Sequence, residues 1–266
     1  MKKILRQYRG VLSIAFRNYT VYIHDIIGIN VVYVLRLLVI IFFYKAIYAV
    51  SPEASINGYT LAQVTWALIF VQSIVVAKTR ITDEVNLDIK TGKIGVYLLN
   101  PINYISYKFF ESFSKSLYNL AISLAIGVWL WYILLWTIPF SLWGIFGWLW
   151  LLLGGMLVSF FGYFMVGLLA FYTEDADAFR LLYAKMDLFF WGNILPIPFM
   201  PIFLQTIGFA LPFAYAGYTA WLIFTKFDMR TFLQYAGMQL FRIVTLIGIC
   251  YLIYTQAKKR LTINWW

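Results

Sequence analysis

Lys78–Lys115 reads KTRITDEVNLDIKTGKIGVYLLNPINYISYKFFESFSK, the longest strongly polar stretch of the chain, with hydrophobic sequence running away from it on both sides. Six basic residues lie in it: Lys78, Arg80, Lys90, Lys93, Lys108 and Lys115. Its first part has the signals of a short helix. Thr82 is placed to cap the N-terminus, and Asp83 and Glu84 follow in the first turn, where the helix dipole favours anions. Ile81, Val85 and Ile89 recur at four-residue intervals on one face. Lys90 falls in the last turn, and Gly92 suits the left-handed position that ends a helix. A second short segment, Lys93–Leu99, stops at Asn100-Pro101, where the next hydrophobic helix begins. A compact helix held between two membrane spans on their basic side serves to dock a cytosolic partner; the blander reading is a solvated loop.

Outward from this stretch the chain reads as membrane sequence. Hydrophobic residues make up 63% of it and charged ones 12%, against about 25% charged in an average soluble domain. Aromatics reach 21%, with many Trp and Tyr, as expected where rings sit at headgroup level. The net charge of +10 is no nucleic-acid signal, because the basic residues cluster between spans and at the ends. The lone cysteine, Cys250, sits in an apolar run, which rules out a disulfide within the chain.

Residues 1–22 lack the uninterrupted apolar core of a signal peptide. Ile4, Leu5, Tyr8, Val11, Leu12, Ala15, Phe16 and Tyr19 form one face, with Lys2, Lys3, Arg6, Arg9 and Arg17 opposite. That pattern predicts an amphipathic helix in the headgroup layer. Spans follow, each weighed against the roughly 20 apolar residues a membrane helix needs. They are expected at Ile26–Tyr48, Thr60–Ala77, Leu117–Trp136 with a helical extension back toward Pro101, Leu142–Tyr172, Leu182–Ile197 and Thr231–Thr255. The loop containing Pro52, Asn57 and Gly58 turns the chain between the first two. The fourth carries Gly154, Gly155, Ser159, Gly162 and Gly167, a spacing that permits close helix contact in lipid. The acidic segment Thr173–Arg180 is expected as a loop.

After the short fifth span, Pro196, Pro198, Pro201 and Pro212 cut apolar sequence into pieces of about ten residues, too short to cross a bilayer. They fit two half-helices that enter the membrane from one side and return, over residues 196–225. The alternative is one kinked span with an interfacial helix. The whole is one domain, residues 1–266: an all-α polytopic membrane protein of six transmembrane helices, with an interfacial helix at 1–22 and a cytosolic coupling segment at 78–108. With both ends cytosolic, sixteen basic residues fall inside and Lys45, Lys226 and Arg230 outside, so the basic bias fixes that orientation.

The chemistry is bounded by absences of motif. No GxxxxGK[ST] phosphate loop, HExxH, CxxC or His cluster occurs. His24 beside Asp25 reads as an ordinary interfacial residue, and Glu174, Asp175 and Asp177 as a solvated turn rather than a metal site. Arg36 and Arg242 fall near the middle of their spans, where an Arg costs at least ~2.5–3.5 kcal/mol on insertion scales and must face protein or water. Two readings stand: hydrogen bonding to carbonyls, Tyr and Gln, or a positive lining for an anionic substrate.

This order of elements resembles the membrane subunit of a type-2 ABC exporter. Glu84, Ile89, Gly92, Leu98 and Pro101 resemble that family's pattern in the long loop, and Gly192, Pro196 or Pro198, Pro201 and Pro212-Phe213 its Pro-rich region. Asn193 stands where a smaller residue is expected. The resemblance implies a permease without its own ATPase activity, paired with a second six-span permease, the same chain or a homologue. It implies a separate cytosolic ATPase that binds ATP and Mg and docks on the segment containing Asp83, Glu84, Val85, Ile89 and Gly92. It places the protein in a prokaryotic cytoplasmic (inner) membrane, multi-pass, and leaves the chain itself without a cofactor. The competing classes are a lipid-modifying membrane enzyme, which would need convergent carboxylates, His or Cys, and an ion-coupled secondary transporter, which would place acidic residues at mid-membrane.

Overall fold

The computed structural model describes residues 10–18, 23–50, 55–56, 58–99, 103–134, 142–173, 175–192 and 197–263. The helix α1 occupies 10–18; the predicted residues 1–9 and 19–22 of the interfacial helix lie outside the described residues. α1 rests on a later helix, α6 (Tyr104–Leu134): Ser114 Oγ donates to the Leu12 carbonyl at 3.1 Å, and Phe16 meets Tyr118 edge to face.

Among the described residues, five helical stretches are long and apolar enough to cross a membrane: His24–Val50, Leu61–Lys90, Tyr104–Leu134, Trp143–Thr173 and Met229–Lys259. The first lies in α2 (Ile23–Val50). A two-residue β-hairpin follows, β1 (Ser55–Ile56) with β2 (Tyr59–Thr60), turning at Gly58 with a φ of 74°. Lys226 Nζ closes over it, 2.7 Å from the Gly58 carbonyl and 4.0 Å above the Tyr59 ring. α3 (Leu61–Ala77) starts on a capping box in which Thr60 and Gln63 satisfy each other's backbone N–H. α4 (Ile81–Lys90), α5 (Ile94–Leu99) and α6 complete the region of the long polar stretch. The extension expected before the third span is real helix, starting at Tyr104.

The rest is α7 (Leu142–Leu168), α8 (Ala170–Thr173), α9 (Asp177–Phe190), α10 (Ile202–Ala210), α11 (Tyr218–Thr225) and α12 (Met229–Ile263). Three-residue and four-residue 3₁₀ turns, Ile197–Phe199 and Phe213–Ala216, precede α10 and α11. Two expectations change here. The acidic segment is not a loop through Arg180; α9 begins at Asp177, whose charge suits a first turn. The predicted fifth span is shifted with it, and α9's 14 residues extend only about 21 Å, short of a ~30 Å hydrocarbon core.

α7 is the hub, packing on α12, α11, α4 and the Phe213–Ala216 turn. Its glycines explain why. A side chain at Gly155 would collide with the Ala216 carbonyl, at Gly162 with the Tyr183 hydroxyl, at Gly154 with Gln239, and at Gly167 with Val85. Each absent side chain is thus a socket for a different neighbour, which lets backbones approach without lipid between them. α3 and α7 are 67% buried over their most apolar stretches, α2 and α12 only 28%, so the former form the centre and the latter the flanks. Cys250, on α12, is fully buried, its thiol 3.4 Å from the Phe161 carbonyl.

Candidate functional site

The predicted docking helix is α4, and most of its local signals hold. Asp83 and Glu84 occupy the first turn and Lys90 the last. Gly92 has the left-handed φ of 69°, and its N–H bonds back to the Ile89 carbonyl at 3.1 Å. The expected cap does not hold. The cap position lies two residues earlier, at Arg80, with no side-chain cap, and Thr82 instead donates its hydroxyl to the Tyr163 carbonyl of α7 at 2.7 Å.

A direct docking role for Val85 and Ile89 requires both to face outward. Val85 is instead fully buried beneath Gly167, and Ile89 packs against the same core, so this stripe holds α4 to its own chain. The outward apolar side chains are Leu87, 60% exposed, and Val96 on α5, 61% exposed. Lys90, Thr91, Gly92 and Lys93 are exposed between them.

The charges of α4 are also engaged. Glu84 accepts from Lys115 at 3.3 Å and Lys108 at 3.5 Å. Lys108, nearly buried, lies 2.8 Å from Asp88, whose carboxylate also accepts the Tyr104 hydroxyl at 3.0 Å. Lys115 pairs with Glu111 at 3.1 Å. On the other flank Asp83 meets Arg180 at 2.9 Å. Asn86 donates to Asp175 at 3.0 Å and accepts the Ala176 N–H at 3.3 Å, and Lys90 pairs with Asp175 at 2.9 Å. The Lys90 hydrogen bond, with the Asp177 N–H and the Asn86 amide, draws the Asp175 carboxyl down to about 2. Nearby on α5, burial pushes the Tyr97 hydroxyl up to about 12. α4 is therefore fastened to α6, to α7 and to the turn between α8 and α9 at once.

Just before α4, Lys78 makes an ion pair with Asp187 of α9 and lies 3.4 Å from the centroid of the Trp191 ring; the Tyr163 hydroxyl donates to the same carboxylate at 2.8 Å. Trp191 in turn fills the space a side chain at Gly217 would need, 2.7 Å from its β-carbon position. Nothing in the sequence pairs Lys78, just after α3, with Asp187, within α9, so this cluster is visible only in the fold.

The two mid-span arginines have separate partners. Arg36 reaches the Gln72 side chain at 3.4 Å, among exposed Val32, Leu35 and Val39 on α2. Arg242 donates to the Phe209 and Ala210 carbonyls at 2.7 and 3.1 Å and sits 4.3 Å over the Tyr215 ring. It thereby caps the C-terminal end of α10, where a cation suits the dipole. In the Pro-rich region Gly192 has a φ of 76°. Pro196 and Asn193 lie outside the described residues. Pro198 sits in the first 3₁₀ turn, and Pro201 and Pro212 precede α10 and the second turn. Among the described residues no three His, Cys, Asp or Glu side chains gather as a metal site.

The family model for ABC-2 family transporter proteins matches residues 34–264. The chain belongs to the ABC-2 transporter family. No curated protein is similar enough to count as a match. As an ABC-2 protein with several membrane-crossing helices, it is a multi-pass permease component of an ABC transporter, a class that works with ATP-binding subunits.

Proposed function

We propose that this ABC-2 permease is half of an exporter, seats a separate cytosolic ATPase on α4 and α5, and leaves ATP hydrolysis to that partner. The observation that carries the reading is the fastening of α4. Polar contacts tie it to α6 and to the α8–α9 turn, Thr82 and Val85 tie it to α7, and Leu87 and Val96 are left outward. A helix so held transmits a push to several spans rather than yielding to it. Leu87→Glu with Val96→Glu should release the ATPase from purified complex while the permease still inserts, since truncating a buried docking residue costs about 2 kcal/mol or more. Unchanged ATPase association and unchanged transport would remove α4 and α5 from the docking role.

The same reading gives the chain six crossings, with α9 in the fifth and α10 and α11 forming the re-entrant pair. It places both termini in the cytosol of a prokaryotic cell, in the cytoplasmic membrane, and pairs the chain with a second permease. Arg36 supports the pairing. A guanidinium half-way along a flanking helix cannot face acyl chains, so a second permease or an anionic substrate covers it. Arg242, already bound to α10, holds the Pro-rich region in shape. Arg36→Gln should lower transport with assembly intact; loss of assembly in membrane extracts would assign Arg36 to the seam alone.

A further inference from the structure

Two neighbouring cavities open along α2 and α6. The first, about 900 Å³, has charged residues in a mixed wall that includes Asp25, Gly28 and Ile29 of α2, Asn119 of α6 and Arg80. The second, about 510 Å³, is apolar; it starts beside the first at Ile26 and Ile27 and runs deeper along α2 to Leu35, facing Tyr118, Ile122 and Ile126. Both volumes lie in the ~300–1,000 Å³ range of small-molecule sites. At ~1.5 Å per residue, Asp25 to Leu35 covers about 15 Å, half of a ~30 Å hydrocarbon core. The combined site is thus one leaflet deep, polar at one end and greasy at the other.

Its free charges are selective. Lys78 is bound by Asp187, and Glu84, Glu111 and Lys115 bind one another. Arg80 and Asp25 remain: among the described residues no side-chain hydrogen bond or ion pair reaches either, and both are exposed to the cavity. One cation and one anion opening on the same space complement a zwitterion. In the wall of the apolar cavity stands Asn30, 7% exposed, its amide N–H₂ spent on the Ile26 carbonyl at 2.8 Å and its buried Oδ1 without a donor among the described residues. Two residues earlier, in the lining of the first cavity, a β-carbon at Gly28 would meet nothing within 4 Å. An occupant is called for that brings a donor near Asn30, phosphate-like charge to Arg80 and a chain to the groove.

We propose that this is a resident lipid site for a glycerophospholipid with a primary-ammonium headgroup, taken from the leaflet in which the start of α2 lies. The phosphate sits on Arg80, the ammonium on Asp25, and one acyl chain runs between α2 and α6. The headgroup or a water at its glycerol level supplies the donor for Asn30.

The test is native mass spectrometry of the full chain, equilibrated in mixed micelles holding equal phosphatidylethanolamine and phosphatidylglycerol. Wild type should retain one phosphatidylethanolamine per chain. Arg80→Gln should lower its occupancy about tenfold, as expected for a lost charge-assisted contact. Asp25→Asn should keep binding but erase the preference over phosphatidylglycerol. Ile122→Trp, which fills the groove, should abolish retention with an unchanged elution profile. No retained lipid in wild type, or equal retention in Arg80→Gln, overturns the site; an unaltered preference in Asp25→Asn overturns the ammonium assignment. A disulfide joining two chains through Val31→Cys would show a second copy in the groove and overturn it as well. The assay needs neither ATPase nor transport, so its outcome is independent of the docking role of α4.

Discussion

Lys78 and Asp187 form the most consequential pair of side chains, because their surroundings give neither an easy alternative. Asp187 is nearly buried, the Lys78 ammonium lies against an indole, and the Tyr163 hydroxyl already uses the same carboxylate. Removing one member leaves the other charge unpaired in a medium that solvates it poorly, at a cost of about 3–5 kcal/mol. Replacing both by apolar residues of similar volume removes that penalty. Lys78→Met and Asp187→Leu should therefore each lower the thermal midpoint of the purified protein, and the double variant should recover most of the loss. Additive losses in the double variant would mean that the pair has no coupling. Little of this cluster was legible from sequence. A Lys at the end of one span and an Asp in a later helix carry no mutual signal; only the packing of α3 and α9 against α7 joins them. Arg36 and Arg242 were legible as misplaced charges, yet their partners were not, since backbone carbonyls such as those of Phe209 and Ala210 have no sequence signature.

At the scale of the element, α4 shows what local patterns reveal and where they stop. Gly92 announced the end of the helix because only a left-handed residue closes it there. Thr82 misled because its hydroxyl had a better acceptor, the Tyr163 carbonyl, supplied by a helix distant in sequence. Ile81, Val85 and Ile89 marked a stripe correctly, but a stripe does not say whether a partner or the same chain covers it. Leu87, flanked by Asn86 and Asp88, had no periodicity to reveal it. The α8–α9 turn gives a pH test. Asp175 is held at about 2 by Lys90 and its neighbours, below the ordinary ~3.9 of an aspartate. Its contacts therefore add stability above the ordinary carboxylate range, and that stability is lost as pH falls from about 4 toward 2. Asp175→Asn, whose amide keeps an acceptor for Asn86 but no charge for Lys90, should show a shallower fall in thermal midpoint over that window. Parallel curves for the two proteins would remove Asp175 from the fastening of α4.

For the whole molecule, the division between buried α3 and α7 and flanking α2 and α12 was only partly legible. The glycines of the fourth span pointed to its central place, while the uniform hydrophobicity of α2 and α12 concealed how much of their surface stays open. Apolar residues running on toward the prolines place the short fifth span at Leu182–Ile197 in the sequence. The actual start of α9 at Asp177 moves it toward the α4 end of α7. The proposed orientation predicts that Ser55→Cys, in the hairpin under Lys226, reacts with a membrane-impermeant maleimide added to intact cells. Thr91→Cys, beside Gly92, should react only after the membrane is opened. Reversed reactivity would invert the topology. These substitutions can be made directly in the natural sequence. Its single thiol is enclosed between α12 and the Phe161 carbonyl, so the wild-type protein is already a silent background for any cysteine reporter, and whatever signal appears belongs to the residue introduced.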